Sequence, residues 1–184
     1  MFDSKKYWES RYFNNGNSGL GSYDKSAQIK ADYVNDVIEK YNIKSISDYG
    51  HGDGNQLTYL KGFESYYGYD VSKTIREKCI ETFTDTKYNF VSSIDDIPTT
   101  DLAMSLDVIY HLVEYDVYTD YLNKLFSKSK YVVIYSTDYN KQNSQHVYHR
   151  KFTDYVNENI SNFTLIDTDF TYREEVGMFL YKSK

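Results

Sequence analysis

The stretch from Ile46 to Leu57 contains residues whose type and spacing suit ligand binding through the backbone. Three glycines, Gly50, Gly52 and Gly54, stand at alternate positions directly after a β-prone run, and a helix-like run follows them. At such a strand-to-helix turn, glycine lets a ligand approach the backbone closely, and the free amides of the helix start face that ligand. The pattern therefore predicts a cofactor-binding turn.

Two acidic residues near this turn narrow the choice of cofactor. A nicotinamide fingerprint has the spacing G-x-G-x-x-G, whereas here the third glycine comes one residue early. Asp48, two residues before the first glycine, is unfavourable beside a pyrophosphate and suits a cationic amino group. Asp70 ends the next predicted strand, where its carboxylate can accept hydrogen bonds from both hydroxyls of a ribose. The acids favour a nucleoside that carries an amino acid.

Histidines and one further acid are the candidates for acid–base chemistry. His111 lies just beyond a predicted fourth strand, at the edge where α/β sheets present ligands, and is the first candidate for a general base. The alternative is a histidine at a helix start that only hydrogen-bonds the backbone. His146, His149 and Arg150 follow the fifth strand at the same edge; they position an acceptor, supply the base instead, or form an exposed loop cluster. Asp107 is a candidate for orienting one of the histidines.

A divalent metal is an alternative at this edge of the sheet. Asp107, His111, Asp138 and His146 would be its ligands if they converged. No close ligand spacing such as H-x-x-x-H supports such a site. The sequence therefore favours chemistry without a metal.

The elements that must position these residues follow from hydrophobic periodicity. Strands alternate with helices, and two closing strands follow the last helix, which predicts an α/β, Rossmann-like three-layer sandwich. Its mostly parallel, seven-stranded sheet would end in an antiparallel C-terminal strand pair. The predicted strands are 45–49, 65–70, 88–91, 102–106, 131–135, 163–170 and 176–181. The predicted helices are 26–41, 55–60, 72–83, 116–126 and 153–159, with a polar loop over 136–144.

Residues 1–22 are predicted to form an N-terminal arm or lid. Trp8 and Tyr12, four residues apart, indicate a short helix docked on the rest of the chain, and the alternative is a mobile arm. No repeat, low-complexity block or linker interrupts the sequence. We therefore expect one domain over 1–184.

Composition excludes several classes of protein. The 184 residues carry a net charge of −6, which argues against a nucleic-acid partner because no basic surface is available for phosphates. The single cysteine, Cys79, fits a reduced compartment rather than a disulfide scaffold. No run is apolar and long enough to span a membrane, and no signal-peptide pattern is present. We therefore expect a soluble, cytoplasmic protein with no membrane insertion.

Taken together, the turn and its acids resemble the first motif of class I S-adenosylmethionine-dependent methyltransferases, acid-x-G-x-G-x-G. The resemblance covers nearly the whole chain, from the leading helix to the closing strand pair. The sequence after the fourth strand, Asp107-Val108-Ile109-Tyr110, lacks the Asn-Pro-Pro-aromatic motif of enzymes that methylate amino groups of DNA bases. It fits oxygen acceptors better.

A narrower resemblance is to a subgroup of small bacterial and large-DNA-virus methyltransferases, often found near glycosyltransferases. It includes a chlorovirus methyltransferase domain that O-methylates rhamnose of the capsid glycan. The matching segments are Tyr7-Trp8 with Arg11, 17–22, 52–57, 69–72, 105–112 and 146–154. One departure is His51, where such sequences usually carry cysteine, which puts packing and cofactor affinity at that position in doubt.

The resemblance implies roles for individual residues. Asp48 and the backbone of Gly50, Gly52 and Gly54 would hold the methionine portion of S-adenosyl-L-methionine, and Asp70 would hold the ribose. Other cofactor contacts would come from residues that border the adenine or the methionine or close over the site: Trp8, Arg11, Gly21, Ser22, Asn55, Val71, Ser93, Ile94, Leu106 and Asp107.

The function that this resemblance implies is O-methylation of a sugar hydroxyl in a viral or bacterial surface glycan. One alternative is a methyltransferase of a small metabolite or of RNA, the latter disfavoured by the negative charge. Another is a non-catalytic module that keeps only the cofactor-binding fold.

Overall fold

The computed structural model of the protein describes residues 2–184, except for the side chain of Arg173. A central seven-stranded sheet has the order β3-β2-β1-β4-β5-β9-β8. The first five of these strands in chain order run parallel, β9 is antiparallel to β5, and β8 is antiparallel to β9. The strands are β1 Ser45–Tyr49, β2 Ser65–Tyr69, β3 Tyr88–Val91, β4 Thr100–Leu106, β5 Ser129–Thr137, β6 Lys141–Ser144, β7 Val147–His149, β8 Phe163–Arg173 and β9 Val176–Ser183. This arrangement confirms the predicted fold class.

Helices cover both faces of the sheet, and the alternation of side chains along each strand supplies both cores. On β4, Leu102 and Met104 pack on the α2 side, whereas Ala103 packs against α4 and α5 on the other side. The helices are α1 Ser4–Phe13, α2 Asp24–Tyr41, α3 Lys73–Thr82, α4 Tyr115–Leu125 and α5 Phe152–Asn159. The three layers bring the carboxyl ends of β1, β2, β4 and β5 to one edge of the molecule.

Two predicted elements differ from the structure. The helix predicted over 55–60 is a single turn of 3-10 helix, Gln56–Tyr59, and the chain turns away at Gly62, whose φ is +85°. Only seven residues separate Gly54 from Gly62, which leaves no room for an α-helix of useful length.

The second difference concerns the predicted loop over 136–144. Strand β5 continues to Thr137, and β6 pairs with β7 in a separate two-stranded antiparallel sheet. Polar residues such as Lys141 and Gln142 carry no apolar alternation, so periodicity did not reveal this hairpin. The hairpin places His146 in its turn, and this position matters for the site.

The N-terminal segment is ordered over the sheet edge. Trp8 and Tyr12 lie on α1 as predicted, and Tyr12 is buried. Glu9 on α1 accepts hydrogen bonds from the Ser72 and Thr74 hydroxyls, each at 2.6 Å, at the N-terminus of α3. On the other side of α1, the Ser4 amide donates to Glu114 Oε1 at 2.7 Å. Helix α1 thus bridges the ends of β2 and β4.

Candidate active site

The glycine turn (residues 50–54) has the left-handed backbone that its composition requires. Gly50, Gly52 and Gly54 have φ of +100°, +56° and +77°. A Cβ on Gly50 would lie 2.6 Å from Val108 Cγ2, so a side chain there would be strained and would also clash. The Gly50 amide donates to the carbonyl of Tyr69 at 2.7 Å, which ties the turn to the end of β2.

Asp48 lies at the end of β1, on the wall of a cavity beside the glycine turn. Its carboxyl is 4% exposed, and Oδ2 accepts a hydrogen bond from the Tyr66 hydroxyl at 2.8 Å. Burial raises the pKa of Asp48 to about 7, although the Tyr66 hydrogen bond acts in the opposite direction. A cationic group brought into the cavity would favour the anionic form of this carboxyl.

Asp70 performs a structural task that the sequence did not predict. Its Oδ2 accepts from the Gly52 amide at 3.0 Å, and its Oδ1 accepts from the Ser72 amide at 2.9 Å. The carboxyl is buried, which raises its pKa, and it also lines the cavity. Asp70 therefore joins the glycine turn to the start of α3 and keeps lone pairs available for a ligand.

The cavity has a volume of about 660 Å³ and lies at the carboxyl edge of the sheet beneath α1. That volume is within the roughly 300–1,000 Å³ usual for cofactor pockets. Among the predicted site residues, those that line it are Trp8, Gly21, Ser22, Asp48, Gly50, Gly52, Asp70, Val71, Ile94, Leu106, Asp107 and His111. The structure thus brings together residues from the arm and from the ends of three strands.

Other predicted site residues support the cavity from outside its wall. Arg11 donates to the Asn17 carbonyl at 2.6 Å and packs over Trp8. Asn55 donates to the carbonyl of Ser22 at 2.6 Å. A Cβ on Gly54 would lie 2.5 Å from the Phe83 ring, and Ser93 caps the 3-10 turn that begins at Ile94. His146 and His149 are likewise outside the wall.

Lys30 is a buried cation in the cavity wall that sequence analysis missed. Its side chain is 2% exposed, and Nζ lies 2.5 Å from Asp107 Oδ2. Asp107 has a φ of +62°, and its other oxygen accepts from the Tyr110 hydroxyl at 2.7 Å. Lys30 shares the buried face of α2 with Ala27 and Val34, so its position at helical spacing could have revealed it. Asp107 thus bonds to Lys30 and Tyr110, and its role in orienting a histidine stays a prediction.

Two histidines line the cavity, His51 of the glycine turn and His111 beyond β4. The Nδ1 atom of His111 lies 3.0 Å from the carbonyl oxygen of His146, which can only accept, so Nδ1 carries the proton and Nε2 keeps a lone pair. Burial lowers the pKa of His111 to about 4, which keeps the ring neutral near pH 7. Trp8 contacts the His111 ring edge-on at a centroid distance of 4.9 Å.

His146 and His149, the two histidines outside the cavity wall, contact the site through their neighbours. The His146 ring is sandwiched between Tyr7 of α1, at 4.8 Å, and His111, at 6.0 Å between ring centroids. His149 is buried beside the hairpin, with Nδ1 2.7 Å from the Thr137 hydroxyl and Nε2 2.9 Å from the Asn143 amide. The side chains of His146 and His149 thus lie outside the cavity in which their predicted catalytic roles would be performed.

Acidic residues dominate the cavity wall. Seven acids line it against two lysines: Asp3, Asp48, Asp53, Asp70, Asp107, Glu114 and Asp120 against Lys5 and Lys30. Only the Lys30–Asp107 pair among these is a close ion pair in the part of the chain described. The field of this wall favours cationic or neutral ligands and opposes anionic ones.

The metal alternative finds no support in the geometry. Within residues 2–184, no group of three or more His, Cys, Asp or Glu side chains is arranged to hold a metal ion. Asp138, one of the four proposed ligands, accepts instead from the amide and hydroxyl of Thr153 at 3.1 and 2.7 Å.

No helix within the described range is long and apolar enough to cross a bilayer.

Comparison with known proteins was made at the levels of sequence and of structure. No protein-family profile matches the chain, and no curated protein matches it by sequence. Magnesium protoporphyrin IX methyltransferase from Synechocystis PCC 6803, with bound S-adenosylhomocysteine, is similar in structure: 13% identity, a TM-score of 0.73 and 98% of each chain covered. N-methyltransferase NodS from Bradyrhizobium japonicum WM9, also with S-adenosylhomocysteine, is similar too. Its identity is 12% and its TM-score is 0.74, with 98% of this chain and 99% of that one covered.

A third similar structure is the methyltransferase domain of bacterial CtHen1, with 20% identity and a TM-score of 0.65 over 85% of this chain and 97% of that one. At identities of 12–20%, these proteins resemble the chain in fold rather than in sequence. The chain therefore has the fold of class I S-adenosylmethionine-dependent methyltransferases.

Proposed function

We propose that the chain is an S-adenosylmethionine-dependent O-methyltransferase that acts on a sugar hydroxyl, the acceptor being a deoxyhexose of a surface glycan. The observation that carries the proposal is that Asp48, Asp70 and the glycine turn line the same cavity of about 660 Å³, with Asp70 bonded to the Gly52 amide. The similar structures with bound S-adenosylhomocysteine have their cofactor in the same fold.

The residues present fit S-adenosylmethionine in charge and polarity. The Asp48 carboxyl, buried at the end of β1, would accept the amino group of the methionine portion. Asp70 would accept from the ribose hydroxyls with the lone pairs that Gly52 and Ser72 leave free. Val71 and Ile94 provide apolar surface for the adenine. The acid excess of the wall suits a cofactor that is itself cationic.

The cofactor would supply a methyl group already activated by the positive charge on sulfur, so the protein mainly aligns the acceptor with it. His111 would hold the acceptor hydroxyl through Nε2 and receive its proton. A pKa of about 4 makes this imidazole a weak base. A weak base is sufficient here because the hydroxyl becomes strongly acidic as its oxygen gains a bond to carbon.

The charge of the cavity separates the acceptor classes. Seven acids against two lysines oppose a phosphate-bearing acceptor such as RNA, although one similar structure is an rRNA methylase from Escherichia coli. A neutral hydroxylated acceptor meets no such penalty. A small amine is the second candidate because the acidic wall would also attract a cation, and NodS is named as an N-methyltransferase.

Calorimetry with S-adenosylhomocysteine tests the cofactor assignment. We expect micromolar or tighter binding that Asp70→Ala weakens by about 10- to 100-fold, corresponding to one or two lost hydrogen bonds to a charged group. Because Asp70 also anchors Gly52, Asp70→Asn and the thermal midpoint of each variant serve as controls. Absence of binding to the folded wild type would overturn the proposal.

Transfer of a radiolabelled methyl group to a panel of sugars, amines and RNA then tests the acceptor. We expect label in a deoxyhexose glycoside, and His111→Ala should lower turnover by about 10²- to 10⁴-fold with unchanged cofactor affinity. Label in amines alone would favour the second candidate. Cofactor binding without transfer to any acceptor would indicate a non-catalytic module.

A further inference from the structure

A second, smaller cavity lies behind the wall of the first. It has a volume of about 230 Å³ and is formed by α2, the end of β5 and the β8–β9 hairpin. Three tyrosines line it, Tyr33, Tyr135 and Tyr172, together with Asp169 and the apolar side chains of Val176 and Met178. This volume is below that of pockets for drug-sized ligands and admits one small ring.

One layer of side chains separates the two cavities. Lys30 Nζ, on the wall of the large cavity, lies 5.3 Å from the centroid of the Tyr135 ring, which lines the small one. The same ammonium is paired with Asp107 at the end of β4. The two cavities therefore lie on either side of the contact between Lys30 and Tyr135, at the same carboxyl edge of the sheet.

The chemistry of the small cavity favours a neutral ligand. Cations already lie over two of its three rings, since Lys25 Nζ is 5.9 Å from the Tyr172 centroid and Lys30 covers Tyr135. An added cation would meet these ammonium groups, whereas an anion would meet the Asp169 carboxylate and the nearby Asp167, which accepts from the Tyr33 hydroxyl at 2.9 Å. The small cavity therefore disfavours both cationic and anionic ligands.

Polar and apolar groups are placed as a polyhydroxylated ring requires. Asp169 accepts from the amide of Thr171 at 2.7 Å and from its hydroxyl, both through Oδ1. These bonds, the hydroxyl of Thr171 first, lower the pKa of Asp169 and keep it anionic, so Oδ2 remains a charged acceptor for ligand hydroxyls. Tyrosine rings, Val176 and Met178 supply surface for the C–H faces and the methyl group of a deoxy sugar.

We propose that this cavity, named here the tyrosine pocket (Tyr33, Tyr135, Asp169, Tyr172, Val176 and Met178), binds one neutral saccharide ring. In the setting of the proposed function, on which this part rests, the ring is the acceptor glycan's neighbour to the methylated sugar. The enzyme would then use an oligosaccharide as a better acceptor than a single sugar ring, which would be methylated without a contact in the tyrosine pocket.

Saccharide binding is tested directly by nuclear magnetic resonance on the ¹⁵N-labelled full chain, titrated with methyl α-L-rhamnopyranoside. We expect shifts of the amides of Thr171, Tyr172 and Met178. Asp169→Ala should weaken the response about tenfold or more, since it removes a charged hydrogen-bond acceptor. Asp36→Asn, on the exposed face of α2, is the matched control and should leave the titration unchanged.

Several results would overturn the inference: no shift at these amides, shifts confined to the large cavity, an Asp169→Ala response equal to wild type, or displacement of the sugar by tetramethylammonium. S-adenosylhomocysteine binding, measured on the same sample, keeps the two proposals apart. Sugar-induced shifts without cofactor binding would support the tyrosine pocket and contradict the proposed function. Cofactor binding without sugar-induced shifts would support the cofactor assignment and contradict the tyrosine pocket.

The oligosaccharide claim has its own kinetic test. With a rhamnose disaccharide as acceptor, Asp169→Ala should raise KM several-fold at unchanged kcat, whereas KM for methyl α-L-rhamnopyranoside in the large cavity should stay the same. An equal change in KM for both acceptors would contradict a separate subsite.

Discussion

The two halves of the large cavity are assembled from different kinds of contact. The cofactor half (Asp48, Gly50, Gly52, Asp70 and Val71) is closed by bonds between β1, β2 and the turns that follow them, such as Gly52 to Asp70 over 18 residues. The histidine half (Lys30, Asp107, Tyr110 and His111) depends on distant segments: Lys30 and Asp107 are 77 residues apart, and His111 bonds to His146, outside the wall, 35 residues away. A local motif therefore encodes the first half, and only the completed fold builds the second.

The Lys30–Asp107 pair offers the largest test of this difference. Lys30→Met would leave the Asp107 carboxylate largely buried without its cation, and we expect a loss of about 3–5 kcal/mol in the free energy of unfolding. Adding Asp107→Asn should recover much of that loss, because no uncompensated charge remains. Urea unfolding of the two single variants and the double variant measures the coupling.

A matched control lies on the same helix. Lys40 is exposed near the end of α2, so Lys40→Met should change stability by no more than about 0.5 kcal/mol. If Lys30→Met were as mild as Lys40→Met, the histidine half would not depend on this long-range pair. That result would contradict the claim that long-range contacts build the histidine half.

A smaller loss in the free energy of unfolding is expected from a substitution in the cofactor half. Gly50→Ala forces a side chain into φ of +100° and within 2.6 Å of Val108 Cγ2. The backbone cost is about 1–2 kcal/mol and overpacking adds about 1–3 kcal/mol, so we expect a loss of about 2–5 kcal/mol. Thermal unfolding measures it, and affinity for S-adenosylhomocysteine should fall as the turn is displaced.

The double variant Gly50→Ala with Val108→Ala separates the two causes. It removes the branched side chain that the new Cβ meets, and it leaves the backbone strain in place. We expect it to retain the loss of about 1–2 kcal/mol assigned to φ, in addition to the cost of Val108→Ala measured alone. A Gly50→Ala protein as stable as wild type would show that the turn tolerates another conformation.

Sequence reasoning succeeded where the determinants are local. The fold class, the glycine turn and the helix predicted over 72–83 follow from patterns within single segments, and the structure confirms them. The β6–β7 hairpin was missed because its strands pair through backbone groups and carry little apolar pattern. The tautomer of His111 could not be predicted either, since it is set by the carbonyl of His146 on that hairpin.

Lys30 belongs between these cases. The position of Lys30 on the buried face of α2 could have been inferred from the sequence, whereas its partner Asp107 could be identified only from the three-dimensional fold. Roles that depend on one segment can thus be read from sequence, whereas roles that depend on two distant segments give at most half of the pair. The acceptor's chemistry falls in the second class, which is why the tyrosine pocket left no trace in the sequence pattern.

The smallest predicted effect is a pH dependence confined to the cofactor half. In the ligand-free protein burial holds the pKa of Asp48 near 7, and a bound ammonium group would lower it by favouring the carboxylate. Below pH 7, binding of S-adenosylhomocysteine must therefore release a proton, and its affinity should fall by up to about tenfold per pH unit between pH 7 and 5.5. Calorimetry in buffers of different ionisation enthalpy measures both the affinity and the proton.

Two titrating neighbours could mimic this slope, and each is distinguishable. His111, with a pKa of about 4, stays neutral over this range and contributes little. Asp70 also has a raised pKa through burial. Asp48→Asn should bind more weakly with an affinity that no longer depends on pH. If its slope persisted, the proton would belong to Asp70, and the ammonium of the ligand would not lie beside Asp48 at the end of β1.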